Sequence, residues 1–240
     1  YTDYDKLLQT DECDTVYIAN INPVHYEYAK QALENGKHVI LEKPSCVHSW
    51  QTRKLLSIAQ QKKLFVFEAV TSIHNPNFHH IKEDIQKIGE IKLVQANYSQ
   101  FSSRYNAYTQ ENILPAFDPK LYGGALYDVN VYNINVVVGL FGEPQAVQYN
   151  ANIGYNGIDT SGTVFMRYPG FFAHCTAAKD SESPGHVTIQ GDKGCIEVHG
   201  PTNTFYDYSL YFYDTKNSNF MGSIVNTKSS CKHSVSVCIL

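Results

Sequence analysis

The sequence feature that most constrains the fold is a pair of short apolar runs separated by one helix near the start of the chain. Residues 16–19 form the first run and residues 38–42 form the second. Between them, residues 25–35 place apolar side chains at helical spacing, and Gly36 follows as a left-handed cap. Strand, helix and strand in this order predict a βαβ unit, which has parallel strands and a right-handed crossover.

The second of these strands ends abruptly at Glu42-Lys43-Pro44. Its branched apolar residues predict a strand that is buried on both faces. Proline cannot continue a strand ladder, and it favours an extended conformation for Lys43. The amine of Lys43 is therefore expected at a fixed place at the carboxyl end of a parallel strand, where open α/β sheets bind their ligands.

The pattern changes after residue 70. Before it, a helix over residues 49–63 and a strand over residues 64–69 extend the βαβ unit, so residues 1–70 are expected to be part of a Rossmann domain. After it come a helix over 77–88, a strand over 91–99, a polar stretch over 100–121 and an apolar segment over 123–140. The polar stretch has no clear period and predicts a loop over a site.

The rest of the chain contains short segments of alternating polarity separated by Gly, Pro, Asn and Asp. These segments are residues 145–155, 160–168, 171–179, 185–190, 194–199 and 205–213. They predict an α+β domain over residues 71–227 with a large, open, mostly antiparallel sheet. Residues 228–240 have no convincing period, and both an unpacked terminus and a shifted reading frame are compatible with them.

Composition favours a small-molecule partner. The 240 residues are 43% hydrophobic with a net charge of −4 and no basic stripe, which argues against nucleic acid and anionic membranes as partners. No apolar run approaches the length of a membrane span, and no secretory signal is present, so we expect a cytoplasmic protein. Six cysteines without a CxxC pair predict free thiols. The run from His74 to His80 has no acidic partner at ligand spacing, so no metal site is expected.

Three residues could carry out redox chemistry together. Asp128 and Tyr132 are four apart, so on a helix they share one face. Oxidising an alcohol needs a group that takes the hydroxyl proton, and a tyrosine does this near neutral pH only if a cation such as Lys43 stabilises its phenolate. The alternatives are a surface lysine, a core tyrosine and a carboxylate that braces a helix start. Residues 129–138 are also rich in β-branched side chains, which on propensity alone permits a strand.

Three motifs in this order resemble those of the Gfo/Idh/MocA oxidoreductase family. They are Asn22-Pro23-Val24-His25, Gly36-Lys37-His38-Val39 through Glu42-Lys43-Pro44, and Gly123-Gly124 through Asp128 to Tyr132. The resemblance covers roughly residues 1–215. The Asp-x-x-x-Tyr form is similar to the glucose-fructose oxidoreductase and dihydrodiol dehydrogenase branch. The inositol dehydrogenases carry a histidine in place of the tyrosine.

The resemblance implies a nicotinamide-binding Rossmann domain, a second domain with a large open sheet, and hydride transfer to or from a carbinol carbon. It implies that the catalytic residues are Lys43, Asp128 and Tyr132. It implies that the residues along the cofactor are Ala19, Asn20, Asn22, Pro23, His25, Glu42 and Lys43. From the polar loop and the site mouth we expect substrate contacts by His74, Arg104, Tyr105 and Tyr108, although an ordinary solvated loop is the alternative.

The sequence departs from the family in two places. It contains no Gly-x-Gly-x-x-Gly fingerprint, so we expect about one to two βα units, on the order of 50–70 residues, ahead of Tyr1. The residue that distinguishes NAD from NADP would lie there, so the cofactor is expected to be NAD or NADP. Asn130 stands where the family commonly has glycine.

The predicted function is that of an NAD(P)-dependent oxidoreductase that acts on a sugar, polyol or diol. The exposed face of the second sheet would suit a homo-oligomer, either a dimer or a tetramer. Two alternatives stay open: a non-catalytic dinucleotide-binding sensor of the same fold, and an NAD-dependent glycosidase.

Overall fold

The structure, a computed structural model, describes residues 1–213 and 224–227. The predicted tail over residues 228–240, with Cys231 and Cys238, lies outside the described residues. No helix in the described part is long and apolar enough to span a membrane.

A three-stranded parallel sheet forms the first part of the chain. Its strands, in spatial order, are β1 (Thr15–Ile18), β2 (His38–Leu41) and β3 (Val66–Glu68). The helices are α1 (Tyr4–Leu8), α2 (His25–Glu34), which connects β1 to β2, and α3 (Ser49–Lys62), which connects β2 to β3. The predicted βαβ unit and its additional strand are therefore confirmed.

Only one face of this sheet is fully buried among the described residues. Val39 and Leu41 of β2 have no exposed surface and pack against apolar residues of α2 and α3. On the opposite face, Tyr17 and Phe67 are each at least 50% exposed. The prediction that β2 is buried on both faces is wrong for the described part of the chain, because both helices cover the same side.

An eight-stranded sheet forms the second part. Its strands are β4 (Ile91–Ser99), β5 (Ala146–Ile153), β6 (Asp159–Tyr168), β7 (Phe171–Ala178), β8 (His186–Gly191), β9 (Gly194–His199), β10 (Asp207–Tyr213) and β11 (Ile224–Thr227). Their spatial order is β11-β10-β9-β8-β4-β7-β6-β5, and only the β4–β7 pair is parallel. The predicted large, mostly antiparallel sheet is confirmed.

The alternating patterns separate the two faces of this sheet. One face packs against α4 (Pro76–Asp84) and α6 (Val131–Phe141) around buried residues such as Val94 and Ile189. The other face is open and largely polar. The strand register places one row of side chains across it, namely Gln148, Phe165, His174, Gln95 and Thr188.

The polar stretch before α6 is more ordered than predicted. It contains α5 (Tyr105–Thr109) and two short 3₁₀ turns, Pro115–Phe117 and Pro119–Leu121, so the prediction of an irregular loop is wrong there. The rings of Tyr108 and Phe117 stack with centroids 4.8 Å apart, and Phe117 is fully buried. A five-residue helix is too short to show a period, and these aromatic contacts are not visible in local sequence.

Buried asparagines attach α6 to the large sheet. A π-helical turn, Leu126–Asn130, precedes α6, so the segment is helical despite its β-branched residues. The amide of Asn130 donates to the carbonyl oxygen of Cys175 at 2.9 Å. The amide of Asn133 donates to the carbonyl oxygen of Thr176 at 2.8 Å and accepts from the Thr202 hydroxyl at 2.8 Å. These bonds fix the helix against β7.

We expect Asn133→Ala to lower the free energy of unfolding by about 3 kcal/mol, because it removes buried hydrogen bonds to Asn130, Thr176 and Thr202. Chemical denaturation of the full-length protein measures this loss. Asn152→Ala is the matched control, since among the described residues its exposed side-chain amide bonds only the Ser161 hydroxyl, and its effect should stay below about 0.5 kcal/mol. Equal losses in the two variants would contradict the role of Asn133.

Candidate active site

Lys43 connects the two sheets. It follows β2, and its Nζ atom donates to the carbonyl oxygen of Asp128 at 2.6 Å and to Oδ1 of the same residue at 2.9 Å. The Lys43 side chain is only 16% exposed. An ammonium has three N–H donors. Among the described residues, Asp128 accepts from two of them, so the third N–H is available to a ligand.

The backbone around Lys43 is held on both sides by carboxylates. Glu42 accepts a hydrogen bond from the Tyr17 hydroxyl of β1 and another from the Lys43 amide at 3.2 Å. Glu68 of β3 accepts from the Ser45 amide at 2.7 Å. The hydrogen bond to Glu42 is the main reason why the pKa of Tyr17 is raised to about 12. Hydrogen bonds to the neighbouring strands β1 and β3 therefore hold the segment that carries Lys43 at the end of β2, the central strand of the three.

Two glycines let the helical segment that carries Asp128 start close to the neighbouring loop. A β-carbon at Gly123 would lie 2.8 Å from the backbone of Ala116, and one at Gly124 would lie 1.9 Å from Oδ1 of Asp159. Gly124 also has a φ of +94°, which disfavours any other residue. The second oxygen of Asp159 accepts from the Leu126 amide at 2.6 Å, so this carboxylate fixes the helix start that carries Asp128.

Asp128 is shared by two lysines. Its Oδ2 atom accepts from Nζ of Lys179 at 2.7 Å, while Oδ1 faces Lys43. Burial by itself raises the pKa of Asp128, but the charges of Lys179 and Lys43 outweigh it and hold the pKa below its usual value. Lys179 is not among the residues expected from the sequence. The sequence does contain a signal for it. Every second residue of strand β7, Ala173, Cys175 and Ala177, faces the interior, and Lys179 is the next position in that series.

Tyr132 lies against Lys43. The Lys43 Nζ atom sits 5.1 Å from the centre of the Tyr132 ring, and the ring of Tyr98 packs edge-on at 5.8 Å. Burial, with the charges of Glu42 and Asp128, raises the pKa of Tyr132 to about 12. Lys43 was expected to lower this pKa, but burial and the two carboxylates raise it. The phenol is therefore protonated at neutral pH.

A cavity of about 200 Å³ opens beside Lys43 and Asp128. Asn20 and Asn22, from the loop that follows β1, form part of its wall, so it lies at the carboxyl edge of the parallel strands. Arg104 also lines it. The Arg104 guanidinium is exposed and has no hydrogen-bonding or ionic partner among residues 1–213 and 224–227.

His25 is not brought to the cavity. It is fully buried, with Nδ1 3.0 Å from the carbonyl oxygen of Pro44 and Nε2 2.9 Å from that of Asn20. A side chain in this position cannot touch a ligand, and it instead ties the two loops that flank the cavity. Ala19 and Pro23 lie next to the lining residues without belonging to them.

Three residues expected at the substrate, His74, Tyr105 and Tyr108, also lie away from the cavity. His74 ends a 3₁₀ turn, Thr71–His74, and is exposed. Tyr105 packs on Tyr108 and Phe117, with ring centroids 5.9 Å from each. Of the predicted substrate contacts, the structure brings only Arg104 to the cavity wall.

Comparison with known proteins defines the class to which this fold and site belong. A family model described as "Oxidoreductase family, NAD-binding Rossmann fold" matches residues 1–70. A second, described as "GFO/IDH/MocA C-terminal domain", matches residues 78–197. The chain therefore belongs to the Gfo/Idh/MocA oxidoreductase family, and the resemblance seen in the motifs is confirmed.

Individual relatives agree with this assignment. The scyllo-inositol 2-dehydrogenase (NADP(+)) IolU of Bacillus subtilis (strain 168) is 37% identical over 198 residues, which are 82% of this chain and 60% of that protein. The trans-1,2-dihydrobenzene-1,2-diol dehydrogenase of Xenopus laevis is 28% identical over 203 residues, 82% of this chain and 59% of that protein. The chain thus spans about 60% of the length of these curated relatives.

A solved structure shares the fold. Levoglucosan dehydrogenase in complex with NADH and levoglucosan superposes with a TM-score of 0.79 at 21% identity, over 95% of this chain and 64% of that one. The parallel sheet and the large open sheet are therefore arranged as in solved Rossmann-type oxidoreductases.

We expect Gly124→Ala to destabilise the protein by about 2 kcal/mol or more, because it adds a clash with Asp159 to the strain of a positive φ. Gly170→Ala is the matched control: its φ is +87°, but a β-carbon there meets nothing within 4 Å. Thermal and chemical unfolding measure the stability of both variants. Gly170→Ala reports the cost of the backbone strain alone, and Gly124→Ala reports the strain together with the clash. If both glycines tolerate alanine equally, the Gly124–Asp159 contact does not set the helix start.

Proposed function

We propose that the protein containing this chain catalyses NAD(P)-dependent hydride transfer at a CH–OH carbon of a sugar, polyol or diol. The observation that carries this proposal is the Lys43 ammonium, held by Asp128 on the wall of a cavity at the carboxyl edge of parallel strands. The family supports the reaction type. The similar relatives named for an inositol and for a diol support the substrate class.

The proposed cofactor is NAD or NADP. The cavity offers the amides of Asn20 and Asn22 and the ammonium of Lys43, which are donors and acceptors suited to a carboxamide and a ribose. When bound, the nicotinamide supplies the hydride acceptor or donor. One relative is named for NADP(+) and one solved structure holds NADH, so both forms stand in the proposal.

Lys43 would act on the substrate oxygen. Its remaining N–H can donate to the hydroxyl or carbonyl oxygen of a substrate in the cavity. Its positive charge would stabilise the negative charge that develops on that oxygen during the reaction, and Asp128 keeps the ammonium in place for this role.

Tyr132 would exchange the proton. With a pKa of about 12 the phenol is a proton donor at neutral pH, so the residues as they stand suit the reduction of a carbonyl group. Oxidation of an alcohol needs the phenolate to accept the hydroxyl proton. The proton would thus move between the phenol and the substrate oxygen, while the Lys43 ammonium, 5.1 Å from the centre of the Tyr132 ring, would stabilise charge on that oxygen.

Arg104 would contact the substrate. Its exposed guanidinium on the cavity wall presents a fork of N–H donors that can hold two hydroxyl oxygens of a polyol.

A homo-oligomer and a cytoplasmic location complete the proposal. The open face of the large sheet supports the first, since it carries a cleft of about 540 Å³ lined by Asn150, Thr163 and Phe165 among others. Sedimentation analysis of the full-length protein tests the oligomer, and a monomer at all concentrations would contradict it.

The proposed cytoplasmic location is supported by the free thiols of Cys13, Cys46, Cys175 and Cys195, which fit a reducing compartment.

We expect Lys43→Met to lower kcat/KM by about 10²–10³-fold and Tyr132→Phe by about 10²–10⁴-fold, because they remove the oxyanion donor and the proton donor. The assay is cofactor absorbance with the full-length protein, both dinucleotides and a panel of polyols, sugars and diols. Lys92→Met removes an exposed lysine paired with Glu90 and should leave the rate unchanged.

Wild-type rates in both active-site variants would overturn the proposal. Dinucleotide binding without turnover of any substrate would favour the sensor alternative. Release of free sugar without net cofactor reduction would favour the glycosidase alternative.

The pH dependence should differ between the two directions. Because the pKa of Tyr132 is about 12, the phenolate fraction rises about tenfold per pH unit below that value. We therefore expect alcohol oxidation to accelerate as the pH rises from about 7 to 10, whereas carbonyl reduction does not accelerate with it. Tyr132→Phe should abolish the difference. Equal slopes in both directions for the wild-type protein would exclude Tyr132 as the group that exchanges the proton.

A further inference from the structure

We propose that Lys179 is a positioning residue of this site: it anchors Asp128 from inside the protein and shares its negative charge, so that Asp128 does not fully neutralise the Lys43 ammonium at the cavity. The catalytic part of this inference rests on the proposed function. The anchoring of Asp128 does not, and it can be measured without turnover.

Lys179 is held by three contacts in the interior. Its side chain is 2% exposed, and its Nζ atom donates to Oδ2 of Asp128 at 2.7 Å and to the carbonyl oxygen of Ala116 at 2.6 Å. The same nitrogen lies 4.4 Å from the centre of the Phe117 ring. A buried ammonium is tolerated only when it is paired in this way, so Lys179 is committed to the interior and cannot reach a substrate.

The charge count explains what Lys179 adds. Lys43 and Asp128 alone would be a neutral pair facing the cavity, whereas two ammoniums on one carboxylate carry a net charge of about +1. The substrate oxygen becomes more negative as it loses its proton or accepts hydride, and a fixed positive charge stabilises that state. Lys179 thus adds the second positive charge beside Asp128, and Lys43 is the ammonium that faces the cavity.

Lys179 also joins Asp128 to the wall of the cavity. Ala116 lines the cavity, and it is the residue whose backbone approaches Gly123 at the start of the catalytic segment. The ammonium bonds this wall residue and Asp128 at the same time. Replacing Lys179 would therefore loosen the wall and remove a counter-charge of Asp128 in one step.

Several charged or titratable groups act on this carboxylate and on its two lysines. They are Lys43 at the end of β2, Tyr98 on β4, Tyr132 on α6, Lys179 after β7 and Asp159 on β6, and Glu42 acts on Tyr132. Lys179 is the larger of the two lysine effects that lower the pKa of Asp128, and burial acts in the opposite direction. Without Lys179 the pKa of Asp128 should therefore rise.

The first test is the pH profile of kcat/KM for the full-length enzyme with NADP and a polyol. We expect Lys179→Met to move the acid limb of kcat/KM to higher pH than in the wild-type enzyme, because the pKa of Asp128 rises and a protonated Asp128 loses its ion pair with Lys43. Lys179→Arg keeps the charge and should restore the wild-type profile. Lys92→Met should match wild type. A rate loss that is equal at every pH would mean a structural role only and would overturn the proposal.

The second test needs no turnover and separates this inference from the proposed function. We expect the stability deficit of Lys179→Met, relative to wild type, to shrink as the pH falls, because a protonated Asp128 gains nothing from the Lys179 charge. If Lys179→Met does not fold, Lys179→Gln keeps a donor without the charge and takes its place. A deficit independent of pH would overturn the anchoring role. A wild-type protein without turnover but with this pH dependence would refute the proposed function alone.

Discussion

The structure depends on one ion pair that crosses between its two sheets. Lys43 comes from the end of the central strand of the parallel sheet, and Asp128 comes from the helical segment packed on the large sheet. Neither charge is fully solvated, so each stabilises the other and fixes where the two parts of the chain meet. The cavity lies at their junction, where hydrogen bonds to Glu42 and Glu68 hold the segment around Lys43.

The electrostatics of the site follow from how its charges are shared. Asp128 accepts hydrogen bonds from two lysines and stays ionised. Tyr132 is partly buried near two carboxylates, and its phenol stays protonated. The site therefore presents hydrogen-bond donors. Under the proposed function, this distribution would stabilise a developing oxyanion, and the proton on Tyr132 would distinguish reduction from oxidation.

Much of the fold could be predicted because its signals are local. The strand that ends at Lys43, the helix closed by Gly36 and the alternating strands each depend on periodicity within a few residues. The site could be predicted only in part, because Lys179 meets Asp128 across 51 positions of sequence. The buried position of His25 and the raised pKa of Tyr132 likewise depend on tertiary packing and neighbouring charges, which no local pattern contains.

A crystal structure of the full-length protein with NADP and a bound polyol would show directly whether Lys43 acts on the substrate. We expect the Lys43 Nζ atom to lie within hydrogen-bonding distance of both the Asp128 carboxylate and a substrate oxygen, about 2.7–3.2 Å from each. A substrate bound elsewhere, with Lys43 turned away from it or separated from Asp128, would rule out this role of the ion pair.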